Sequence, residues 1–193
     1  MHVALLAAGA ARRMGPRDKL LEEIDGQPLL RRLAVFALEA GIGPVAVTLP
    51  PEGDARSLPR RIALEGLALT PLTVADAASG MSASLRAAAR WATGHALMLV
   101  PADMPEIGID ELRAMARAYE GAPLRATAED GRPGHPVVFP PDLLPDFAGL
   151  SGDDGARALL RRHPPRLIPL AAERAIIDLD TPEDWRRWRA ARG

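Results

Sequence analysis

Residues 2–19 read HVALLAAGAARRMGPRDK, and this stretch indicates the class of fold. The segment from His2 to Ala8 is almost wholly apolar, as expected of a strand buried on both faces of a parallel sheet. Gly9 follows, and then a loop that carries Arg13 and Lys19. Because α/β sheets bind ligands beyond the carboxyl ends of their strands, we expect this loop to lie at a ligand site.

Strand-like and helix-like segments alternate along the rest of the chain. Predicted strands cover 2–8, 45–49, 67–73, 95–100, 124–128 and 136–139. Predicted helices cover 28–40, 55–65, 82–93, 109–120, 153–162 and 182–192. Strands separated by helix-length segments form parallel βαβ units, and the last two strands predict a mixed or antiparallel edge. We therefore predict one α/β domain over residues 1–193, a three-layer α/β/α sandwich with a Rossmann-like, mostly parallel sheet.

Composition excludes several classes of function. The formal net charge is -1, whereas nonspecific nucleic-acid binding usually needs a basic surplus. There is no cysteine, so neither disulfides nor thiolate chemistry contribute. No apolar stretch approaches the length of a membrane span, and no basic residue precedes the first apolar run as in a secretory signal. We expect a cytoplasmic protein that binds neither nucleic acid nor membrane.

The first loop holds the only lysine among 24 lysine and arginine residues, Lys19. A compact ammonium suits contact with phosphate oxygens, and Arg13 adds a second positive charge. The loop matches neither the Walker phosphate-binding pattern nor the dinucleotide fingerprint. From spacing alone, a strand followed by a loop with ordinary surface charges remains an alternative.

Seven motifs then occur in the order found in one family. Residues 6–19 resemble the Leu-Ala-Ala-Gly-x-Ser-x-Arg-Met-Gly-x-x-x-Lys signature of the MobA-like NTP transferases. The other motifs are GQPLL at 26–30, SGMSASL at 79–85, PADMP at 101–105, GRPGHP at 131–136, GDDGAR at 152–157 and DLDTPED at 178–184. The resemblance is greatest to the branch that includes molybdenum cofactor cytidylyltransferases.

This resemblance implies a fold of the nucleotide-diphospho-sugar transferase type and a Mg²⁺-dependent enzyme. Its reaction would transfer CMP from CTP to the phosphate of molybdopterin, the molybdenum cofactor, with release of pyrophosphate. Arg13, Lys19 and Asp103 would be the catalytic residues. The implied nucleotide-binding residues are Leu6, Ala7, Ala8, Gly9, Arg13, Lys19, Gly80, Met81, Ser82 and Ser84.

Two aspartates are the implied metal ligands. Asp103 follows an apolar strand, where a carboxylate can hold Mg²⁺ against triphosphate oxygens. Asp180 ends the segment 176–180, which we interpret as a strand leading into the last helix. Asp178 is a weaker candidate than Asp180. From local sequence alone, Asp103 could equally be a turn residue or a helix N-cap. Asp180 could equally be a residue at the start of a helix.

The implied acceptor-binding residues are His135, Asp153 and Arg157. His135 lies between Gly134 and Pro136, a context that also suits an ordinary turn residue. The serines near residue 82 have an alternative role too, because Ser79 or Ser82 can cap a helix N-terminus.

The chain departs from the family pattern at two small residues. Ala11 stands where members usually have serine, and Ala102 where many relatives have glycine. These departures leave open a carrier that binds the molybdenum cofactor and delivers it to an apo-molybdoenzyme. A guanylyltransferase that uses GTP is a second alternative. A sugar-1-phosphate nucleotidylyltransferase is disfavoured by the short chain and by the GRPGHP and GDDGAR motifs.

Overall fold

The computed structural model describes residues 1–10, 14, 17–152 and 155–192. Their centre is a seven-stranded sheet in the order β5-β4-β1-β6-β8-β7-β9. Its strands are β1 His2–Leu6, β4 Val45–Leu49, β5 Thr70–Thr73, β6 Leu97–Pro101, β7 Leu124–Thr127, β8 Pro133–Phe139 and β9 Arg166–Pro169. Two short strands, β2 Glu23–Ile24 and β3 Gln27–Pro28, form a separate antiparallel hairpin.

All neighbouring strands of the main sheet run parallel except β8, which is antiparallel to both β6 and β7. The mostly parallel Rossmann-like sheet is therefore confirmed, but the predicted antiparallel edge is wrong in position. Because β8 turns back between β6 and β7, the antiparallel strand lies inside the sheet and β9 forms the edge.

Helices cover both faces of the sheet. They are α1 Leu29–Glu39, α2 Ser57–Ala63, α3 Met81–Trp91, α4 Ile109–Ala118, α5 Arg157–Arg162 and α6 Pro182–Ala190. Short 3-10 helices lie at Lys19–Leu21, Ala77–Ser79 and Pro141–Gly149. One hydrophobic cluster joins α1 and α4 to one face, and a second joins α3, α5 and the 141–149 helix to the other. Because helices pack on both faces of the sheet, the predicted three-layer α/β/α sandwich is confirmed.

The central strands separate the two clusters by simple alternation. Val3 and Leu5 of β1 pack toward α1 and α4, whereas Ala4 packs toward α3. Such alternation is what a strand buried on both faces requires, since successive side chains point to opposite faces. The register pairs Leu6 with Pro101, so β1 and β6 end side by side and the loops that follow them meet.

The last helix closes a smaller cluster away from the sheet. Trp185 and Trp188 of α6 are buried against Ile24, Leu29 and Leu179. Thr181 caps this helix by accepting a hydrogen bond from the amide of Asp184 at 3.1 Å, and the arginines of α6 face solvent. The amphipathic terminal helix is confirmed.

Three details differ from the sequence prediction. The β2–β3 hairpin and β9 were not predicted, because the hairpin strands have only two residues each and β9 is mostly exposed. Residues 176–180 form no strand, although their composition suggested one. None of the helices in the described part of the chain is both long enough and apolar enough to cross a bilayer.

Candidate functional site

A cavity of about 860 Å³ lies where β1 and β6 end. Its lining includes Leu6 and Pro101, the last residues of these strands. The amide of Ala102 donates to the carbonyl of Leu6 at 3.2 Å, which holds the two following loops together. A cavity of this size at the carboxyl edge of an α/β sheet is a typical site for a small ligand.

Three aspartates, Asp103, Asp178 and Asp180, form a carboxylate cluster in this cavity. One oxygen from each lies within 4.8 Å of the others. The amide of Leu179 donates to the carbonyl of Asp103 at 3.1 Å. The segment that carries Asp178 and Asp180 is therefore tied by its backbone to the loop after β6.

The ammonium of Lys19 lies between two of these carboxylates. Its Nζ donates to Asp103 Oδ2 at 2.5 Å and also to Asp180 Oδ1, and the Lys19 side chain is 13% exposed. Burial disfavours the charged ammonium, but the attraction of Asp103 and Asp180 outweighs it and raises the pKa of Lys19. Lys19 therefore remains positively charged near pH 7.

Among residues 1–10, 14, 17–152 and 155–192, the carboxylate cluster has three aspartates, and Lys19 is the cation bonded to two of them. Burial, and then the charges of Asp180 and Asp103, raise the pKa of the Asp178 carboxyl. The three carboxylates converge closely enough for one divalent cation to contact an oxygen of each. Carboxylate oxygens are also the ligands that Mg²⁺ and Mn²⁺ prefer.

Lys19 is positioned by a buried arginine that sequence reasoning missed. The side chain of Arg60, in α2, is 0% exposed and donates to both oxygens of Asp18, at 2.6 and 2.9 Å. Its Nη1 donates to the carbonyls of Ala7 and Gly9 at 2.6 and 3.0 Å. Asp18 in turn caps the 3-10 helix that begins at Lys19. Arg60 therefore joins α2, the end of β1 and the lysine segment.

The N-terminus of α3 forms another part of the cavity wall. Gly80 precedes this helix with a φ of 102°, a conformation that favours glycine, and lines the cavity with Met81 and Ser84. The N-cap residue of α3 is Gly80, so neither Ser79 nor Ser82 occupies the capping position considered for them. A helix N-terminus facing a cavity favours anionic groups such as phosphates.

His135 lines the cavity at the start of β8. Its amide donates to the carbonyl of Ala175 at 2.8 Å. A Cβ on the neighbouring Gly134 would lie only 1.8 Å from that same carbonyl oxygen, so the close approach requires glycine. Burial and the adjacent Arg125 lower the pKa of His135 to about 4, against a smaller raising effect of Asp103. The imidazole is consequently neutral near pH 7.

The cavity brings together most of the residues predicted from sequence. Those in its lining are Leu6, Ala8, Gly9, Lys19, Gly80, Met81, Ser84, Asp103, His135, Arg157 and Asp180. Ala7 and Ser82 are 0% exposed and lie behind the lining, and the Ala7 amide donates to Thr48 Oγ1 at 3.0 Å. The predicted Arg13 and Asp153, and the substituted Ala11, lie outside the described residues.

A family model described as the MobA-like NTP transferase domain matches residues 3–167, from β1 into β9. The chain belongs to the MobA-like NTP transferase family. The matched residues include Lys19 and Asp103, whereas Asp178 and Asp180 come after them. In this NTP transferase, the structure therefore adds two carboxylates to the part of the site that the family model covers.

Relatives with different names share nearly the whole chain. It is 30% identical to "Nicotine blue oxidoreductase" of Paenarthrobacter nicotinovorans, over 95% of this chain and 93% of the relative. It is also 30% identical to "Molybdenum cofactor guanylyltransferase" of Cereibacter sphaeroides, over 95% and 92%. Rv0371c of Mycobacterium tuberculosis, whose structure is a complex with manganese, is 27% identical with a TM-score of 0.75, over 96% of each chain.

Proposed function

We propose that this NTP transferase uses Mg²⁺ to transfer CMP from CTP to the phosphate of molybdopterin, with release of pyrophosphate. The observation that carries the proposal is the carboxylate cluster with Lys19, facing the same cavity as the β1 loop and the N-terminus of α3. In this cavity, carboxylates that can bind a cation lie beside groups that favour phosphates. Nucleotidyl transfer needs both kinds of group.

Asp103, Asp178 and Asp180 are the residues that would hold the metal. Their oxygens converge within 4.8 Å, and oxygen-only ligands fit Mg²⁺. When bound, the metal neutralises phosphate oxygens and makes pyrophosphate a better leaving group. The manganese complex of the related M. tuberculosis protein supports a divalent cation in this chain as well.

The remaining groups bind and orient the substrates. An oxygen of the acceptor phosphate forms a bond to the α-phosphorus, and the bond from that phosphorus to the β-phosphate oxygen breaks. Lys19, together with Arg13, stabilises negative charge on the departing phosphates. Because the acceptor phosphate is already ionised, no strong general base is required, and orientation and charge stabilisation account for catalysis.

The acceptor is assigned to the part of the cavity lined by His135 and Arg157, with Asp153 nearby in sequence. Neutral His135 offers a hydrogen bond to the phosphate or the pterin. The chain acts in this proposal as a single nucleotidyltransferase domain, from which an apo-molybdoenzyme receives the finished cofactor.

The choice of CTP rests on the sequence Ala7-Ala8-Gly9, which resembles the cytidylyltransferases of the family. GTP is the second candidate, because one relative is named a molybdenum cofactor guanylyltransferase. Because one relative is named an oxidoreductase, redox conversion of nicotine blue with an added electron donor or acceptor is a useful control reaction.

The test is pyrophosphate release by the purified chain with Mg²⁺ and molybdopterin, comparing CTP, GTP, ATP and UTP. We expect release with CTP, and Asp103→Ala to lower the rate by roughly a hundredfold or more because the metal loses a ligand. Asp146→Ala, at an exposed aspartate of the 141–149 helix, should match wild type.

Each alternative has its own result. Release with GTP alone would retain the chemistry and replace the nucleotide. No release with any triphosphate, while molybdopterin still binds, would favour the carrier. Redox conversion of nicotine blue with an added electron donor or acceptor, without pyrophosphate release, would reject nucleotidyl transfer. Equal rates for Asp103→Ala and wild type would reject the proposed metal site.

A further inference from the structure

Arg125 is a half-buried arginine of β7 that no sequence motif singled out. It lines the cavity beside Gly134, His135 and Arg157. Its Nε donates to the carbonyl of Gly134 at 3.0 Å, which fixes the guanidinium against β8. The remaining nitrogens of Arg125 have no carboxylate within ion-pair distance among residues 1–10, 14, 17–152 and 155–192.

A second guanidinium increases the positive charge at this place. Arg157, the first residue of α5, lines the same cavity. Burial, and then the charge of Arg157, lower the pKa of Arg125. Two cations held near each other repel, and this arrangement is stabilised when an anion binds between them.

A neutral hydrogen-bonding group lies beside these cations. His135 Nδ1 is buried without a hydrogen-bond partner in the described part of the chain. Such a group is costly to bury unless a ligand or water satisfies it. Its position in the cavity lining makes a polar ligand the natural partner.

We propose that Arg125 and Arg157 form a subsite for a phosphate monoester dianion, with His135 as an additional hydrogen-bonding group. The proposal rests on the proposed function, in which the acceptor is a phosphorylated small molecule, and it assigns the phosphate of that acceptor to these side chains. Guanidinium groups match phosphate because their N–H donors can bind two oxygens at once.

The charge of the ligand distinguishes this subsite from a general anion site. A phosphate monoester carries close to two negative charges at pH 8, since its second pKa is about 6. A sulfate ester has a similar shape but a single negative charge. Paired arginines should therefore prefer phenyl phosphate to phenyl sulfate.

The experiment is calorimetric titration of the full chain with each ester at pH 8, without nucleotide or metal. We expect phenyl phosphate to bind at least about tenfold more tightly than phenyl sulfate, and Arg125→Leu to weaken phenyl phosphate binding at least about tenfold. Arg125→Gln removes the charge but keeps an N–H donor for Gly134. If the leucine variant does not fold, the glutamine variant replaces it, and it should also bind phenyl phosphate at least about tenfold more weakly than wild type. Arg166→Leu, on the adjacent strand β9 and in an ion pair with Glu120, is the matched control and should bind like wild type.

Equal binding of phenyl phosphate by wild type and a folded Arg125 variant would overturn the subsite, as would equal binding of the two esters. A second assay separates it from the proposed function. If wild type transfers CMP and Arg125→Gln keeps the same KM for molybdopterin, the subsite fails and the function stands. If no transfer occurs but phenyl phosphate binding still depends on Arg125, the function fails and the subsite stands.

Discussion

The residue His135 makes stability depend on pH. Its pKa is about 4 in the folded chain because of burial and Arg125, against an ordinary value of 6.5. Between these values the unfolded chain binds a proton that the folded chain does not. We expect the contribution of His135 to the free energy of unfolding to be complete above pH 6.5 and to fall by roughly 3 kcal/mol as the pH drops to about 4.

Urea denaturation at several pH values measures this slope. His135→Gln should lessen the loss of stability between pH 6.5 and 4, because glutamine does not titrate. A slope that is identical in His135→Gln and wild type would contradict the assigned environment.

The residue Arg60 is expected to be a large single contributor to stability. Its removal leaves Asp18 and the carbonyls of Ala7 and Gly9 without their buried donor. Breaking a buried ion pair by removing one partner costs about 3–5 kcal/mol. We therefore expect Arg60→Met to lower the free energy of unfolding by that amount, measured by urea denaturation.

Arg61→Met is the control for Arg60, since Arg61 is adjacent in α2 and its guanidinium makes an exposed hydrogen bond to Thr73. It should change the free energy of unfolding by less than about 1 kcal/mol. If Arg60→Met and Arg61→Met lower the free energy of unfolding equally, the hydrogen bonds of Arg60 to Asp18 and to the end of β1 do not stabilise this region.

At the scale of elements, β8 contacts the segment after β9 at Ala175. This contact positions the carboxylates of Asp178 and Asp180, which follow in the same segment. Gly134→Ala would bring a Cβ to within 1.8 Å of the Ala175 carbonyl, so the backbone segments must separate. We expect a loss of about 1–3 kcal/mol in stability. We also expect weaker Mn²⁺ binding, because Asp178 and Asp180 lie just beyond Ala175.

Electron paramagnetic resonance of free Mn²⁺ measures the binding, and urea denaturation the stability. Gly53→Ala is the matched control, since a Cβ there meets nothing within 4 Å. If Gly134→Ala bound Mn²⁺ as wild type does, the contact would not position the carboxylate cluster.

Elements with a strong local signal were predictable. The strand Val45–Leu49 has the bounds expected from its apolar run, and α4 begins at the predicted Ile109. The segment 176–180 was misread because Ile176 and Ile177 are apolar for tertiary reasons, packing against other parts of the core. The order of strands in a sheet depends on contacts between segments that are distant in sequence. Local patterns therefore could not predict that β8 lies between β6 and β7.

At the scale of the whole molecule, the candidate site was predictable where motifs mark it. Lys19 and Asp103 stand in such motifs, and the structure brings them together across 84 positions of sequence. Arg60 and Arg125 had no such signal, because in sequence they resemble the many exposed arginines. Only the fold shows that one is buried against Asp18 and the other faces the cavity.

The hydrogen bond from Leu179 to Asp103 also has a consequence for protein synthesis. A nascent chain that has emerged from the ribosome only through β9 already contains all seven strands of the main sheet, together with Lys19 and Asp103. It still lacks Asp178 and Asp180, which are made later. The carboxylate cluster is therefore completed only after the strands of the sheet have been made, and a chain stalled before residue 178 would have the sheet but only one of the three aspartates.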